Sequence, residues 1–243
     1  MKLVLVCFFA FSNIFLLNSQ SVYGNVEYKS KINGSFISED VINKEKDKNL
    51  RNTLNFLNSS IKNNQNKFVF VLDFNRNVSV FSMNKILNVD NDTQLKYAII
   101  TNSGKDIFYQ NIISRKKIKK KIMFGEEFNI VSNLDSLKWE LTREEKKIGK
   151  YNCFKAITYL NKKTKIEAWY TTQIPFGFGP KGFGGLPGLI IELKENNIIY
   201  FANKITLKTN KIFEIEIPNT QNTISIEKYD SIGRSAKSRL KKM

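Results

Sequence analysis

The feature that most constrains the fold is a succession of short segments in which apolar and polar residues alternate with a period of two. FVFVLDF at 68–74 and NVSVFSM at 77–83 show the alternation most clearly, and Asn75-Arg76 between them predicts a tight turn. Similar segments continue to TISIEKY at 223–229, and turn-length links join them without intervening helices. This order predicts an antiparallel sheet rather than βαβ units.

Residues 40–63 differ because their apolar side chains recur at helical spacing. The stripe consists of Leu50, Leu54, Leu57 and Ile61. The predicted fold is therefore mainly β, of a β-rich α+β kind. It has a single large curved or partly closed antiparallel sheet of about 10–12 strands. The N-terminal amphipathic helix packs on this sheet.

Three further segments are assigned from their local residue pattern. We expect a polar loop at 84–94 and strands at YAIITN (97–102) and IFEIEIPN (212–219). No internal repeat and no change of composition marks a linker. We therefore predict a single β-rich domain over residues 21–233, followed by a basic tail at 234–243 that we expect to fray.

The N-terminal segment predicts export. Lys2 precedes the apolar run LVLVCFFAFSNIFLL, and the small and polar residues NSQS follow it. This order is typical of a Sec signal peptide, so we expect residues 1–20 to be cleaved. The mature protein is expected not to span a membrane. The expected location is the periplasm, the outer membrane surface or the extracellular space.

The composition narrows the chemistry available to the chain. It contains no histidine, which removes the commonest general base and the commonest metal ligand. If Cys7 leaves with the signal peptide, Cys153 remains alone. An intramolecular disulfide and a cysteine-based zinc site are then excluded. We expect no metal site and no cofactor.

The formal net charge of +17 has two interpretations. The run RKKIKKK, Arg115 to Lys121, and the basic C-terminus could form a nucleic-acid patch. The alternative is that lysine and asparagine are abundant throughout the chain and lie on solvent-exposed surfaces without a specific partner. An exported protein meets little nucleic acid, so we favour the second interpretation and expect no nucleic-acid partner.

The stretch FGFGPKGFGGLPGLIIEL at 176–193 holds six of the chain's twelve glycines. GFGPKG within it fits the letters G-x-G-x-x-G, but a dinucleotide site requires a helix directly afterwards. The apolar run LIIEL predicts a strand instead. We therefore expect a bent crossing between two strands. It would serve as a structural plug or as the lip of an apolar cavity.

The motif GLPGLI at 185–190, with LKWELTREEKKIGKYNCFKAITYL before IEAWYTTQIP, resembles the GLPGLI family of secreted Bacteroidetes proteins. The resemblance implies export and a shared structural motif. It implies no activity and no catalytic residues, because the family has no established biochemical function. The positions carrying the motif are Trp139, Tyr151, Cys153, Pro175, Gly179, Pro180, Gly185, Leu186, Pro187, Gly188, Leu189 and Ile190.

The predicted function is a non-enzymatic binding or carrier module for an apolar ligand, a peptide or an outer-membrane protein partner. The aromatic side chains predicted to line such a site are Trp169, Tyr170, Phe176, Phe178 and Phe183. One alternative is a structural or accessory component of an outer-membrane import or secretion system.

A third hypothesis is a histidine-free hydrolase, which would have to work with carboxylates or a thiol. Its candidate groups are Asp73, Glu140, Glu167, Glu192 and Cys153. The oligomeric state is not readable from the sequence.

Overall fold

The computed structural model describes residues 22–86, 89, 91–123, 125–160, 164–209, 214–219 and 223–240, the last range with side chains to residue 235. The predicted signal peptide lies outside the described residues. In this part of the chain twelve strands and four α-helices form.

The strands are β1 Val22–Ile32, β2 Val69–Phe74, β3 Val78–Met83, β4 Ile107–Asn111, β5 Lys116–Met123, β6 Glu126–Asn133, β7 Glu140–Ile148, β8 Tyr151–Leu160, β9 Thr164–Thr171, β10 Leu189–Glu195, β11 Ile198–Thr209 and β12 Thr223–Ser225. The helices are α1 Glu39–Lys44, α2 Lys48–Asn64, α3 Thr93–Thr101 and α4 Ile226–Leu240.

All twelve strands belong to one sheet, in the order β12-β6-β5-β4-β3-β2-β1-β11-β10-β9-β8-β7. The prediction of a mainly β fold built on one large sheet is confirmed. Every neighbouring pair is antiparallel except β12 and β6, which run parallel, so the sheet is mixed rather than wholly antiparallel. The sheet is open, because β12 and β7 end it without pairing to each other.

One face of the sheet carries the core and is called the core face below. The cross-strand partners Val26, Leu72, Phe81 and Phe108 follow one another across β1 to β4 on this face, and all four are buried. Apolar side chains at alternate positions of a strand reach the same face, so period-two alternation gives each strand one buried side. The opposite side is called the outer face.

The predicted N-terminal helix is present as α1 and α2. The Asp47 side chain caps α2 by accepting hydrogen bonds from the Asn49 and Leu50 backbone N–H groups. Within the predicted stripe Ile61 is buried, whereas Leu50 is largely exposed. The buried end of α2 packs with α3 against the core.

Three local predictions were wrong. YAIITN belongs to helix α3, because Leu95, Ala98 and Ile99 bury one helical face and Asp92 caps the N-terminus. Residues 214–219 have no regular secondary structure. The predicted strand 223–229 keeps only its first three residues as β12, after which α4 begins. The fraying of the tail at 234–243 stays a prediction.

Among the described residues, no helix combines the length and apolar character needed to cross a membrane.

Three tyrosines buried in the sheet predict a loss of stability at alkaline pH. Burial raises the pKa values of Tyr28 and Tyr200, and burial together with Asp73 raises the pKa of Tyr23 to about 12. In the unfolded chain tyrosine ionises near pH 10. Because the folded pKa values are higher, the stabilisation is complete below pH 10 and is lost progressively above it.

We therefore expect the free energy of unfolding to fall as the pH rises from about 10 to 12. Denaturant titrations at several pH values, together with tyrosinate absorbance, measure this effect. The Tyr23→Phe variant should lose less stability over that interval. Ordinary ionisation of every tyrosine in the folded protein would contradict the prediction.

Candidate functional site

The glycine-rich segment between β9 and β10 is a hydrogen-bonded crossing rather than an open loop. Phe178 and Gly184 form an isolated antiparallel bridge, and the Gly185 N–H donates to the Gly177 carbonyl at 2.9 Å. The Ile190 N–H donates to the Phe178 carbonyl at 3.0 Å. The crossing therefore satisfies several of its backbone groups internally and folds back before β10 begins at Leu189. No helix follows it, in agreement with the rejection of a dinucleotide site.

The crossing lies on the core face of the sheet and closes over it. The Phe178 ring packs 5.8 Å from the Phe74 ring of β2, measured between centroids. The Gln110 side chain of β4 donates to the Gly182 carbonyl at 3.1 Å. From the far edge of the sheet, the Trp139 indole donates to the Gly184 carbonyl at 2.9 Å. The crossing thus links strands that are distant in the sheet order.

Two glycines of the motif are required for different physical reasons. A Cβ at Gly188 would lie 2.0 Å from the Thr171 carbonyl oxygen, so no side chain fits there. Gly185 has open space around it but a φ of +83°, a conformation that side chains disfavour.

The five aromatic residues predicted to line a binding site do not share one cavity. Phe178, Phe183 and Tyr170 are buried in the core, and Phe176 is half-buried beside the Phe74 ring. Trp169 lies on the outer face, where Lys146 Nζ sits 4.2 Å from its ring centroid. Ligand binding by these residues stays a prediction.

The other motif positions divide into turn residues and core residues. Pro175, Gly185 and Pro187 are exposed at the bends of the crossing. Tyr151 is half-buried at the start of β8. The buried positions are Cys153, Gly179, Pro180, Leu186, Gly188, Leu189 and Ile190.

Asp73 lies apart from the other groups considered for hydrolysis, whereas Cys153 and Glu192 both lie near Lys146. Asp73 accepts hydrogen bonds from Tyr23 and Asn25, whereas Glu192 pairs with Lys146 on the outer face at 2.8 Å. Burial raises the pKa of the Cys153 thiol to about 11, which keeps it protonated at neutral pH. Glu167 pairs with Lys155 and Lys165, and Glu140 is exposed on the edge strand β7.

A cavity of about 270 Å³ lies where the crossing meets β4, β5, β6 and α4. Phe108, Ile130, Ile226 and Tyr229 supply much of its apolar lining. The complete lining is Phe108, Tyr109, Lys117, Ile118, Lys119, Ile130, Ser132, Lys181, Gly182, Ile226, Tyr229 and Asp230. The site therefore combines an apolar interior with lysine side chains.

The lysines of β5 alternate between the two faces of the sheet. Lys119 and Lys121, on the core face, pair with the buried Asp106 carboxylate at 2.9 and 3.3 Å. Such pairing is needed because an isolated buried carboxylate is costly. Lys120, on the outer face, pairs with Glu127 at 2.7 Å.

Lys181 is the charged residue of the crossing itself. Its backbone has a φ of +55°, and its ammonium pairs with the Glu195 carboxylate at the end of β10. The Lys181 Nζ also lies 5.8 Å from the centroid of the buried Tyr200 ring. A strained backbone held by an ion pair fixes the lysine at the cavity wall.

Sequence reasoning missed this cavity because it assigned the run Arg115–Lys121 to solvated surface. The alternation within a predicted strand was the available signal. Residues 117, 119 and 121 must share one face of such a strand. The contribution of α4 had no comparable signal, because its first residues were predicted to be a strand.

Within the described ranges, no group of three or more Cys, Asp or Glu side chains is placed to hold a metal ion.

Comparison with known families gives a match over part of the chain. Residues 157–192 match a Bacteroidetes-associated family described as "Protein of unknown function (Porph_ging)". The matched segment runs from β8 through the crossing into β10. A search of the curated proteins found no match.

Two solved structures of PNGF-II are similar to this chain. The one in space group P21 has a TM-score of 0.51 at 16% sequence identity, covering 88% of this chain and 33% of that chain. The one in space group C2 has a TM-score of 0.49 at 18% identity, covering 81% and 29%. The chain thus spans about a third of the length of PNGF-II. At this identity the likeness concerns the fold alone.

The close approach at Gly188 predicts a large cost for any side chain. We expect Gly188→Ala to lower the free energy of unfolding by about 3 kcal/mol, the upper end for overpacked sites, because the clash is with backbone. Urea denaturation measures the difference.

Gly233 in α4 provides the matched control, since no atom lies within 4 Å of a Cβ built there. Gly233→Ala should stabilise the protein slightly, because alanine favours a helix by about 1 kcal/mol over glycine. Equal stability of Gly188→Ala and the wild type would show that the approach is not as tight as described.

Proposed function

We propose that this protein is a non-enzymatic binding module that holds a small, largely apolar ligand in the cavity between the crossing, β4–β6 and α4. The observation that carries the proposal is the cavity of about 270 Å³ with an apolar lining. Ligand sites are typically concave, mostly apolar and furnished with a few polar groups, with volumes from about 300 Å³ upward. A compact ligand fits this description.

The walls of the cavity differ in how they are attached to the sheet. The crossing is anchored at Gly182 by Gln110, whose amide oxygen in turn accepts from the Ser79 hydroxyl. Helix α4 follows the three-residue strand β12, and residues 214–219 ahead of it have no regular secondary structure. We expect α4 to be the wall that moves when a ligand enters.

The distribution of reactive groups favours binding over catalysis. The sequence contains no histidine, and Cys153, Asp73 and Glu192 are not among the residues that line the cavity. Asp73 is hydrogen-bonded to Tyr23 and Asn25, whereas Cys153 and Glu192 lie beside Lys146. We further propose that the module is exported and works in the cell envelope, as the signal-like N-terminus indicates.

A larger side chain that occupies the cavity should weaken ligand binding. Ile226 lines the cavity at the start of α4 and is 49% exposed, so Ile226→Trp adds bulk without disturbing the core. We expect it to weaken binding of the neutral fluorescent probe N-phenyl-1-naphthylamine by at least about tenfold, equivalent to 1.4 kcal/mol.

The control is Ile122→Trp in β5, where the isoleucine is 52% exposed and does not line the cavity. It should bind the probe as the wild type does. Failure of the wild type to bind, or equal weakening in both variants, would contradict the proposed function.

A further inference from the structure

Lys117 differs from the other lysines that line the cavity because no described residue provides it with a counterion. It lies on the core face of β5, between its cross-strand neighbours Gln110 and Ser132. Within the described part of the chain, its ammonium has no carboxylate within salt-bridge distance and no hydrogen-bond partner. Lys119 and Lys181 line the same cavity, but Lys119 pairs with Asp106 and Lys181 pairs with Glu195.

The surroundings make an unpaired ammonium expensive at this position. Burial lowers the pKa of Lys117, which shows that its charged form is penalised by loss of water. The other charged and titratable groups that line the cavity are Tyr109 on β4, Lys119 on β5, Lys181 on the crossing, and Tyr229 and Asp230 on α4. An anion entering the cavity would restore the missing interaction.

The local charge balance limits that anion to a single charge. Lys119, Lys121 and Lys181 carry three positive charges, and their partners Asp106 and Glu195 carry two negative charges. One positive charge is therefore in excess. Lys117 adds one and Asp230 removes one, so the net excess stays at one. A group with two negative charges would meet the Asp230 carboxylate without a matching cation.

Resting on the proposed function, we infer that the ligand is an amphipathic monoanion: an apolar chain ending in a single carboxylate. Its chain packs against Phe108, Ile130 and Ile226, and its carboxylate accepts hydrogen bonds from the Lys117 ammonium and the Ser132 hydroxyl. The cavity of about 270 Å³ holds roughly nine groups the size of a water molecule. A medium-length alkanoate has this size.

The test compares ligands of one chain length with different head groups. Octanoate, 1-octanol and octylamine are titrated against bound N-phenyl-1-naphthylamine at neutral pH. We expect octanoate to displace the probe at concentrations at least about tenfold lower than 1-octanol, because it gains a charge-assisted hydrogen bond in a site of low dielectric.

Substitution of the lysine identifies the residue responsible. Lys117→Met keeps the apolar stem and most of the length, so it should remove the preference for octanoate over 1-octanol. Lys120→Met is the control, since it removes a charge from the same strand on the outer face. It should retain the preference.

A second measurement uses the unaltered protein. The preference for octanoate should disappear as the pH rises through the lowered pKa of Lys117, below the ordinary range of lysine.

The outcomes separate this inference from the proposed function. Equal affinity for octanoate and 1-octanol, or a preference for octylamine, would overturn the monoanion while the binding role stands. Persistence of the octanoate preference in Lys117→Met would also overturn it. If neither the probe nor any of the three ligands binds, the proposed function and the inference both fail.

Discussion

Gly188 is the tightest glycine position of the crossing, because a Cβ there would lie 2.0 Å from the Thr171 carbonyl oxygen, and much of the structure depends on it. Because no Cβ separates the two backbones, β10 can leave the crossing directly beside β9. The crossing is thereby held on the core face, where Phe178 fills the space above β2. The Tyr28 hydroxyl of β1 then reaches the Ile190 carbonyl at 2.6 Å, across β11. A segment rich in glycine and proline thus behaves as part of the core.

The cavity follows from how far the crossing extends. It reaches β4 at Gly182 and stops, so the core face of β5 and β6 is left for α4 to cover. Two different kinds of wall meet there, one fixed by backbone hydrogen bonds and one attached through a short parallel strand. The lysine run of β5 supplies the polar side of the site. Asp106 pairs with both Lys119 and Lys121, whereas Lys117 has no carboxylate partner among the described residues.

The fold was largely predictable because alternation has a direct physical consequence. A strand such as 68–74 buries every second residue whatever its neighbours are. Helix α3 was not predictable from its amino-acid sequence, since a short apolar run with isoleucines fits a strand equally well. The glycine and proline pattern predicts a bent crossing between two strands. Which face of the sheet the crossing covers depends on contacts with residues distant in sequence. For the same reason, Lys117 and Ile226 could not be placed together before the structure was known.

The central claim is that the crossing is core rather than loop, and native-state hydrogen exchange tests it most directly. The backbone N–H groups of Gly185, Leu189 and Ile190 donate to carbonyls within or next to the crossing at 2.9–3.0 Å. We predict that they exchange only through global unfolding, with the same free energy of opening as the central pair β1 and β11. Exchange of Gly185 and Ile190 at the rate of an exposed loop, while β1 stays protected, would contradict the claim.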